Sequence, residues 1–238
     1  MRLVKWERLP ENMQTEEVRK YYDILKKKKA SLFLKRLFDV FVSFFMLLLF
    51  FPLFILIAIA IKIESRGPVF YRQERITQYG KKFKIFKFRT MRCNSDKQGQ
   101  ITVKNDKRIT RVGRFLRKTK LDEICQIIDV LRGKLSFVGT RPEVQKYVDS
   151  YTPEMMATLL LPAGITSEAS VCYKDENSLI ESAENVDDVY INEILPQKMK
   201  INLSSIRKFS FWRDIKIMFM TFFAVLGKEY TFKEDKGE

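Results

Sequence analysis

Two adjacent carboxylates, Asp122 and Glu123, are the side chains of this sequence best suited to chemistry. The run TKLDEICQIIDVLRG, which starts at Thr119, predicts a helix that carries the pair in its first turn. Thr119 and Asp122 match the helix-start pattern of Ser or Thr followed three residues later by an acid. The helix macrodipole favours ionised carboxylates there, and an ionised Asp can attack phosphorus when a metal ion and arginines screen the charge. Asp122 is therefore a candidate nucleophile, and Glu123 a candidate metal ligand.

Basic residues stand on both sides of this pair. Arg117 precedes it, and Arg141 follows it in a segment where Pro142 favours an extended conformation for the residue before it. A rigidly presented guanidinium suits bidentate binding of phosphate. A basic strip of alternating sequence adds candidates for binding an anionic substrate, and we assign Lys81 and Arg89 to phosphate. The strip consists of Lys81, Lys82, Lys84, Lys87 and Arg89.

Each of these residues also fits a plainer role. Asp122 could cap a helix, and Arg141 could be a surface arginine in a turn. The basic strip fits a charged face toward solvent or lipid as well as it fits substrate binding.

The composition indicates an anionic partner and narrows the choice of metal. The formal net charge is +15 and the pI is about 9.7, which favours the anionic inner leaflet of a membrane and leaves nucleic acid as a rival. The chain has no histidine, and Cys93, Cys125 and Cys172 stand far apart, which argues against zinc, haem and iron–sulfur sites. A metal here would have oxygen ligands, as Mg²⁺ does. The isolated cysteines are typical of small buried residues in a reducing compartment.

The apolar stretch from Leu37 to Ile61 is long enough to cross a bilayer, yet Pro52 interrupts it and basic residues flank it on both sides. Basic flanks favour the cytoplasmic side, so both ends belong to the same compartment. The stretch therefore predicts a re-entrant membrane hairpin that breaks at Pro52. A single-pass helix that tolerates its proline is the main alternative, and a core helix of a soluble protein or a cleaved signal peptide fits less well.

The rest of the chain predicts a mixed α/β fold that is mainly helical. We divide it into a basic N-terminal extension (1–30), the membrane element (31–66) and a cytoplasmic domain (67–238). The predicted elements are a helix over Glu16–Lys29, two short strands over Pro68–Arg75 and Phe83–Phe88 around a turn at Thr77–Gly80, loops over Asn94–Asp106 and Pro162–Thr166, and an interfacial amphipathic helix over Phe211–Leu226.

Four ordered blocks of the sequence resemble one family. They are the apolar stretch through PVFYRQER, then GKKFKIFKFRTM, ITRVGRFLRKTKLDE and LRGKLSFVGTRPE. Together they cover Lys35 to about Pro142 and are similar to the bacterial sugar transferases that act as monotopic polyprenyl-phosphate phosphoglycosyl transferases.

This resemblance implies a reaction and its participants. A sugar 1-phosphate would pass from a nucleotide diphosphate sugar, usually a UDP-sugar, to undecaprenyl phosphate at the cytoplasmic face of a bacterial inner membrane, to start a surface glycan. Asp122 would form a covalent phosphosugar intermediate, Glu123 with Asp122 would hold Mg²⁺, and Arg117 and Arg141 would bind phosphate oxygens. Anionic lipids would be partners, nucleic acid would not, and a second copy of the chain stays open.

The sequence departs from the family pattern at several positions. Phe51 stands where a serine often precedes the membrane proline, and Thr140 replaces the first proline of Pro-Arg-Pro. Thr77 replaces a turn glycine, and Lys120 replaces a serine. The stretch Gly164–Ser170 replaces a familiar Gly-Trp-Ala-Gln stretch, which leaves the sugar unassigned. The alternative function is a membrane-anchored adaptor that binds anionic lipid or nucleic acid.

Overall fold

The computed structural model describes residues 1, 3–92, 108–173 and 185–232. The chain forms two compact units. Unit 1 comprises Met1–Asp39, Arg75–Phe83 and Gly133–Glu238, and unit 2 comprises Val40–Glu74 and Lys84–Arg132. The contiguous division into 1–30, 31–66 and 67–238 follows composition rather than contacts, and it stays a prediction.

The described α-helices are α1 (Glu16–Lys27), α2 (Lys29–Glu64), α3 (Arg111–Lys118), α4 (Ile127–Leu131), α5 (Gln145–Val148), α6 (Glu168–Cys172), α7 (Val186–Val189), α8 (Leu195–Arg207) and α9 (Phe211–Val225). The strands are β1 (Phe70–Thr77), β2 (Lys81–Phe88), β3 (Leu135–Val138) and β4 (Ala163–Thr166). Single turns of 3₁₀-helix cover Trp6–Arg8, Glu11–Met13 and Gln78–Gly80, longer ones cover Leu121–Gln126 and Met155–Leu160, and a π-helical turn covers Tyr190–Ile194. The predicted fold class, mixed α/β and mainly helical, is confirmed.

Helix α1 begins at Thr15, whose side chain accepts the backbone N–H of Val18. Its apolar face is fully buried in the core of unit 1, where it packs against α8 and the 3₁₀-helix Met155–Leu160. Burial of this face stabilises the helix, because an isolated helix of 12 residues is marginal in water. The predicted helix over Glu16–Lys29 is thus confirmed, with its end at Lys27.

Strands β3 and β4 of unit 1 pair in parallel, with Leu135 opposite Ala163 and Val138 opposite Thr166. The loop predicted over Pro162–Thr166 is therefore wrong. The segment is short and has no alternating pattern, so only its pairing with a distant strand defines it as β structure. Gly139 and Gly164 meet at the end of the pair: a Cβ on Gly164 would lie 2.1 Å from the backbone nitrogen of Gly139. Both positions need glycine for this close approach.

The predicted hairpin is confirmed. β1 and β2 form a two-stranded sheet, and a 3₁₀ turn at Gln78–Gly80 joins them. Tyr79 and Gly80 both have positive φ, 59° and 70°, which closes the turn. The loop predicted over Asn94–Asp106 lies outside the described residues.

Helix α2 is 36 residues long and runs through Pro52 without interruption. Its most apolar 18-residue window has a mean hydropathy of 3.0 and is only 11% buried, so it is a candidate membrane helix by length and composition. The low burial speaks against a soluble core helix. The predicted hairpin is not confirmed, because the helical conformation continues across the proline, as neighbouring structure and lipid often permit.

Helix α2 contributes to both units. In unit 1, the buried Asp39 carboxylate accepts the Ser136 hydroxyl at 2.8 Å and the Phe137 backbone N–H at 3.2 Å. The buried Lys35 ammonium donates to the Val138 carbonyl at 2.7 Å and to Asp214 Oδ2 at 2.6 Å. These bonds attach the first part of α2 to β3 and α9, and they satisfy charges that an apolar environment would otherwise penalise.

In unit 2, the last turns of α2 pack against the hairpin and α3. Ile57 and Ile61 are buried in one apolar cluster with Phe88, Leu116 and Cys125. The Cys125 side chain is fully buried, as predicted for a small apolar residue, whereas Cys172 is only partly buried. Cys93 lies outside the described residues.

Helix α9 confirms the helix predicted over Phe211–Leu226. It begins at Ser210, whose Oγ accepts the Arg213 backbone N–H at 3.2 Å. Among its described residues Ile217 and Ala224 face the core, while a broad aromatic and aliphatic surface is exposed. This exposed surface comprises Trp212, Phe219, Phe222, Phe223 and Val225. Its location in the headgroup region stays a prediction.

Candidate active site

The backbone around Asp122 differs from the prediction. Helix α3 ends at Lys118 with Thr119 as its C-cap, and Lys120 then adopts a left-handed conformation with φ of 57°. A 3₁₀-helix begins at Leu121 and leads into α4. The capping pattern predicted for Thr119 and Asp122 is therefore wrong: the Thr119 hydroxyl donates to the Phe115 carbonyl at 2.9 Å, and Lys120 breaks the helical path between them. Gly133 follows the α4 segment with φ of 72°.

Asp122 is partly buried, and its Oδ1 atom is inaccessible and has no hydrogen-bond partner among the described residues. Burial raises the pKa of this carboxyl, and the neighbouring Glu123 charge raises it further, against the opposing effects of Lys87 and Arg117. The expectation that the helix dipole dominates is wrong here, because desolvation is the larger effect. A buried acceptor without a donor is rare in folded proteins.

Glu123 is paired with a lysine from the hairpin. Its Oε1 lies 2.8 Å from Lys87 Nζ, and both side chains are largely buried. A partly desolvated pair is stronger than a surface pair because less solvent screens it. Unit 2 therefore holds two adjacent carboxylates with one ammonium group beside them.

Asp129 fixes the part of strand β2 that carries Lys87. Its Oδ2 accepts the backbone N–H of Phe86 at 2.8 Å. Asp129 is 2% exposed, and this burial raises the pKa of its carboxyl although Arg72 and Arg132 act in the opposite direction. The Arg72 guanidinium lies over the Phe86 ring at 3.6 Å from its centre. Asp129 and Arg72 thus both contact strand β2 at Phe86, directly before Lys87.

Arg117 lies in the last turn of α3, and its Nε donates to Thr90 Oγ1 at 3.0 Å. Helix α3 starts at Thr110, whose Oγ1 accepts the Gly113 N–H at 2.9 Å. Gly113 packs directly on the Thr90 backbone, where an added Cβ would lie 2.0 Å from the carbonyl oxygen. This contact sets the distance between the helix and the end of the hairpin.

Glu64, the last residue of α2, also binds the start of α3. Its carboxylate accepts the backbone N–H groups of Arg111 and Val112 at 2.6 Å and 2.8 Å. The apolar helix and the helix that carries Arg117 are thus joined by charge-assisted hydrogen bonds.

Arg89 is buried, and its terminal nitrogens donate at 2.7 Å to the carbonyls of Ser65 and Arg66, just after the end of α2. These bonds satisfy carbonyl groups that a helix end leaves open. They account for the burial of Arg89 without a substrate, and its predicted phosphate contact stays a prediction.

The structure brings Asp122, Glu123, Arg117 and Arg89 into unit 2. Lys81 and Arg141 belong to unit 1, where both are exposed. Pro52 lies in the exposed part of α2 in unit 2. Their predicted roles in catalysis, in binding metal and phosphate, and in breaking the membrane helix stay predictions.

Sequence reasoning missed several residues that organise the site. Lys87 was one member of the basic strip, and nothing in its spacing distinguished it from the exposed Lys84. Thr90, Glu64 and Asp129 carried no motif at all. The burial of Asp129 is a result of tertiary packing and has no signal in the sequence.

Comparison with known proteins identifies the family of the chain. The family model for bacterial sugar transferases matches residues 30–228. The chain belongs to the bacterial sugar transferase family. The matched region contains every predicted site residue, from Pro52 to Arg141.

Three curated relatives in this family are named for the same acceptor, undecaprenyl phosphate. The chain is 38% identical over 195 residues to a UDP-glucose:undecaprenyl-phosphate glucose-1-phosphate transferase of Klebsiella pneumoniae, covering 79% of this chain and 39% of the relative. It is 38% identical to a protein of the same name from Caulobacter vibrioides, with 79% and 67% covered. It is 35% identical to a UDP-N-acetylgalactosamine-undecaprenyl-phosphate N-acetylgalactosaminephosphotransferase of Aeromonas hydrophila, with 82% and 44% covered. The chain thus spans about two fifths of the length of the Klebsiella relative.

Proposed function

We propose that this bacterial sugar transferase transfers a sugar 1-phosphate from a nucleotide diphosphate sugar, most simply a UDP-sugar, to undecaprenyl phosphate. Family membership and the names of the relatives support the reaction class. The observation that carries the proposal is the Asp122 carboxylate beside Glu123, Lys87 and Arg117, with an Oδ1 that no donor among the described residues engages. Relatives of similar identity are named for different sugars, so the donor sugar is left open.

The proposed chemistry has two displacements at one phosphorus atom. In the first, an Asp122 oxygen attacks the phosphorus that bears the sugar, an Asp–phosphosugar bond forms, and the phosphoanhydride bond breaks to release the nucleoside monophosphate. In the second, an oxygen of undecaprenyl phosphate attacks the same phosphorus, and the Asp122 carboxylate leaves. The product is undecaprenyl diphosphate sugar, and the enzyme returns to its starting state. Covalent catalysis of this kind divides one difficult step into two easier ones.

The basic side chains give this chemistry its electrostatic support. Lys87 and Arg117 lower the pKa of Asp122, so they favour the ionised form that attacks. Both are held in place before substrate arrives, Lys87 by its ion pair and Arg117 by Thr90. Donors that are already oriented stabilise developing negative charge without further reorganisation. Arg141 is proposed to bind phosphate oxygens of the donor.

We propose Mg²⁺ as the cofactor, with Glu123 and Asp122 as its protein ligands. The donor set fits, because Mg²⁺ takes oxygen ligands and commonly uses one or two carboxylates together with substrate phosphates. Asp122 and Glu123 are two adjacent carboxylates of this kind. When bound, Mg²⁺ would neutralise charge on the diphosphate.

We also propose that α2 enters and leaves the membrane by one face, as a re-entrant element. A straight helix of 36 residues would be about 54 Å long, much more than the roughly 30 Å of a bilayer core. Basic residues flank the apolar stretch at both ends, so we expect the catalytic domain on the cytoplasmic face. Impermeant maleimide should label Lys28→Cys and Lys62→Cys from the same side in a variant without native cysteines, and labelling from opposite sides would support a crossing helix.

The covalent step gives the most direct test of the function. We expect purified protein with UDP-glucose or UDP-N-acetylgalactosamine, and without acceptor, to gain the mass of a sugar phosphate at Asp122. Asp122→Asn should show neither the adduct nor release of UMP after undecaprenyl phosphate is added. Asp149→Asn, which changes an exposed carboxylate of unit 1, is the matched control. Full turnover by Asp122→Asn would refute the role of Asp122, and anionic-lipid binding without UMP release from the wild type would favour the adaptor.

A further inference from the structure

A buried hydrogen bond in unit 1 joins the C-terminal part of the chain to the segment that carries Arg141. The Tyr190 hydroxyl donates to Glu143 Oε1 at 2.6 Å, and the two residues are only 6% and 7% exposed. A buried carboxylate is costly without such a donor. Tyr190 opens the π-helical turn between α7 and α8, and turns of this kind occur frequently at functional sites.

The segment from Thr140 to Glu143 is fixed along its backbone. The Thr140 carbonyl accepts the Gly164 N–H at 2.9 Å, and the Glu143 carbonyl accepts the Ile76 N–H at 2.9 Å. The Pro142 carbonyl accepts Arg75 Nη1 at 3.3 Å. The Arg141 side chain is exposed between these anchored neighbours. Its backbone is therefore held on both sides while the guanidinium points to the surface of unit 1.

Two further contacts hold the Tyr190 hydroxyl in place. Lys198, itself only 5% exposed, donates from Nζ to the Tyr190 hydroxyl at 3.3 Å. The Tyr147 ring packs on the Tyr190 ring with centroids 4.4 Å apart. Lys198, Tyr190 and Glu143 thus form a continuous buried chain of polar groups that ends two residues from Arg141. Polar networks that are satisfied and buried rigidify the structure around them.

We propose that Tyr190 is a positioning residue that acts through Glu143 to fix Arg141 for binding the diphosphate of the donor. The inference rests on the proposed function and extends it to the part of the chain that departs from the family pattern. A preordered guanidinium binds phosphate more tightly, because less conformational entropy is lost on binding. Tyr190 itself contacts no reacting atom in this proposal.

Tyr190→Phe tests the hydroxyl and keeps the ring. We expect about a 10-fold rise in the KM for the UDP-sugar, since a hydrogen bond to a charged group is lost, with kcat changed less than about twofold. Tyr147→Phe is the matched control, because it removes the neighbouring hydroxyl, which donates to Asp187 Oδ1 at 2.9 Å. Glu143→Met, which keeps the length of the side chain but removes the acceptor, should reproduce the rise in KM.

Two further measurements separate positioning from general damage. In an Arg141→Ala background, Tyr190→Phe should have no further effect on KM, because the guanidinium that it positions is already absent. Hydrogen exchange of the backbone amides from 139 to 144 should be faster in Tyr190→Phe than in Tyr147→Phe. Equal KM values for the two variants, an additive effect in the Arg141→Ala background, or unchanged exchange would each overturn the proposal. If the wild type releases no UMP, the proposed function fails, and the exchange result still decides whether Tyr190 orders the segment.

Discussion

Lys87 Nζ lies 2.8 Å from Glu123 Oε1, so a strand side chain neutralises one of two adjacent carboxylates in unit 2. The other carboxylate, Asp122, has a raised pKa and a buried oxygen without a donor. This asymmetry distinguishes two residues that are chemically alike in sequence. Lys87 engages Glu123, whereas no donor among the described residues engages Asp122 Oδ1.

Lys87→Gln should lower kcat/KM by about 100-fold, because two adjacent negative charges would then face an anionic donor without the ammonium group. Initial rates of UMP release measure this. The matched control is Lys84→Gln, an exposed lysine on the same strand, which should stay within about twofold of wild type. Equal losses in the two variants would show that overall basicity matters rather than the Glu123 pair.

Removal of divalent cations should abolish UMP release, and Mg²⁺ should restore it. Glu123→Gln should need about 10- to 100-fold more Mg²⁺ for half-maximal rate, because one charged ligand is replaced by a neutral one. Glu154→Gln removes a carboxylate that pairs with Arg207 in unit 1 and serves as the control. Activity that persists in excess EDTA would exclude the metal from the reaction.

Gly113→Ala should destabilise the protein by about 3 kcal/mol, because the new Cβ would meet the Thr90 carbonyl at 2.0 Å. That loss corresponds to a fall in Tm of about 6–12 °C for a protein of this size, measurable by thermal unfolding in detergent. Gly80→Ala is the comparison: its φ is 70° but no atom lies within 4 Å of the new Cβ, so only about 1 kcal/mol of backbone strain is expected. A similar Tm for both variants would show that the helix shifts to relieve the contact.

Asp129 should make stability depend on pH. Its pKa is raised by burial in the folded state, so the ionised carboxylate reduces stability at neutral pH, and this loss is relieved as pH falls through the folded pKa. Asp129→Asn still offers an acceptor to the Phe86 N–H but cannot ionise. Its Tm should exceed that of wild type at neutral pH, and the difference should shrink on acidification. A constant difference across the acidic range would contradict the buried charge as its cause.

The local elements of the fold were predictable, whereas the contacts between distant segments were not. The hairpin β1–β2 and the helices α1 and α9 follow from alternation and helical spacing, which are properties of a few neighbouring residues. Strand β4 has no pattern of its own and exists through pairing with β3. Lys120 interrupts the predicted helix because its φ is positive. A positive φ at a lysine has no sequence signature, so this break was not predictable.

The same division holds for the candidate site. Asp122, Glu123 and Arg117 stand on one short segment, so their sequence proximity already predicted their proximity in space. Lys87 and Thr90 reach them from the hairpin, and Asp129 holds that hairpin through a backbone N–H. Such partners depend on tertiary packing, and the raised pKa of Asp122 depends on the same packing, because burial outweighs the helix dipole.

The buried Asp39 anchors the first part of α2 to β3. Lys35 and Asp39 are engaged with β3 and α9, and from Val40 to Pro52 a helix measures about 18 Å, roughly 60% of the thickness of a hydrocarbon core. A helix that reverses at Pro52 therefore has no need to match the far surface of the bilayer. Changing the acyl-chain length of the host lipid should therefore have little effect on the activity of such an enzyme. A helix that crosses the bilayer completely would have to tilt or strain.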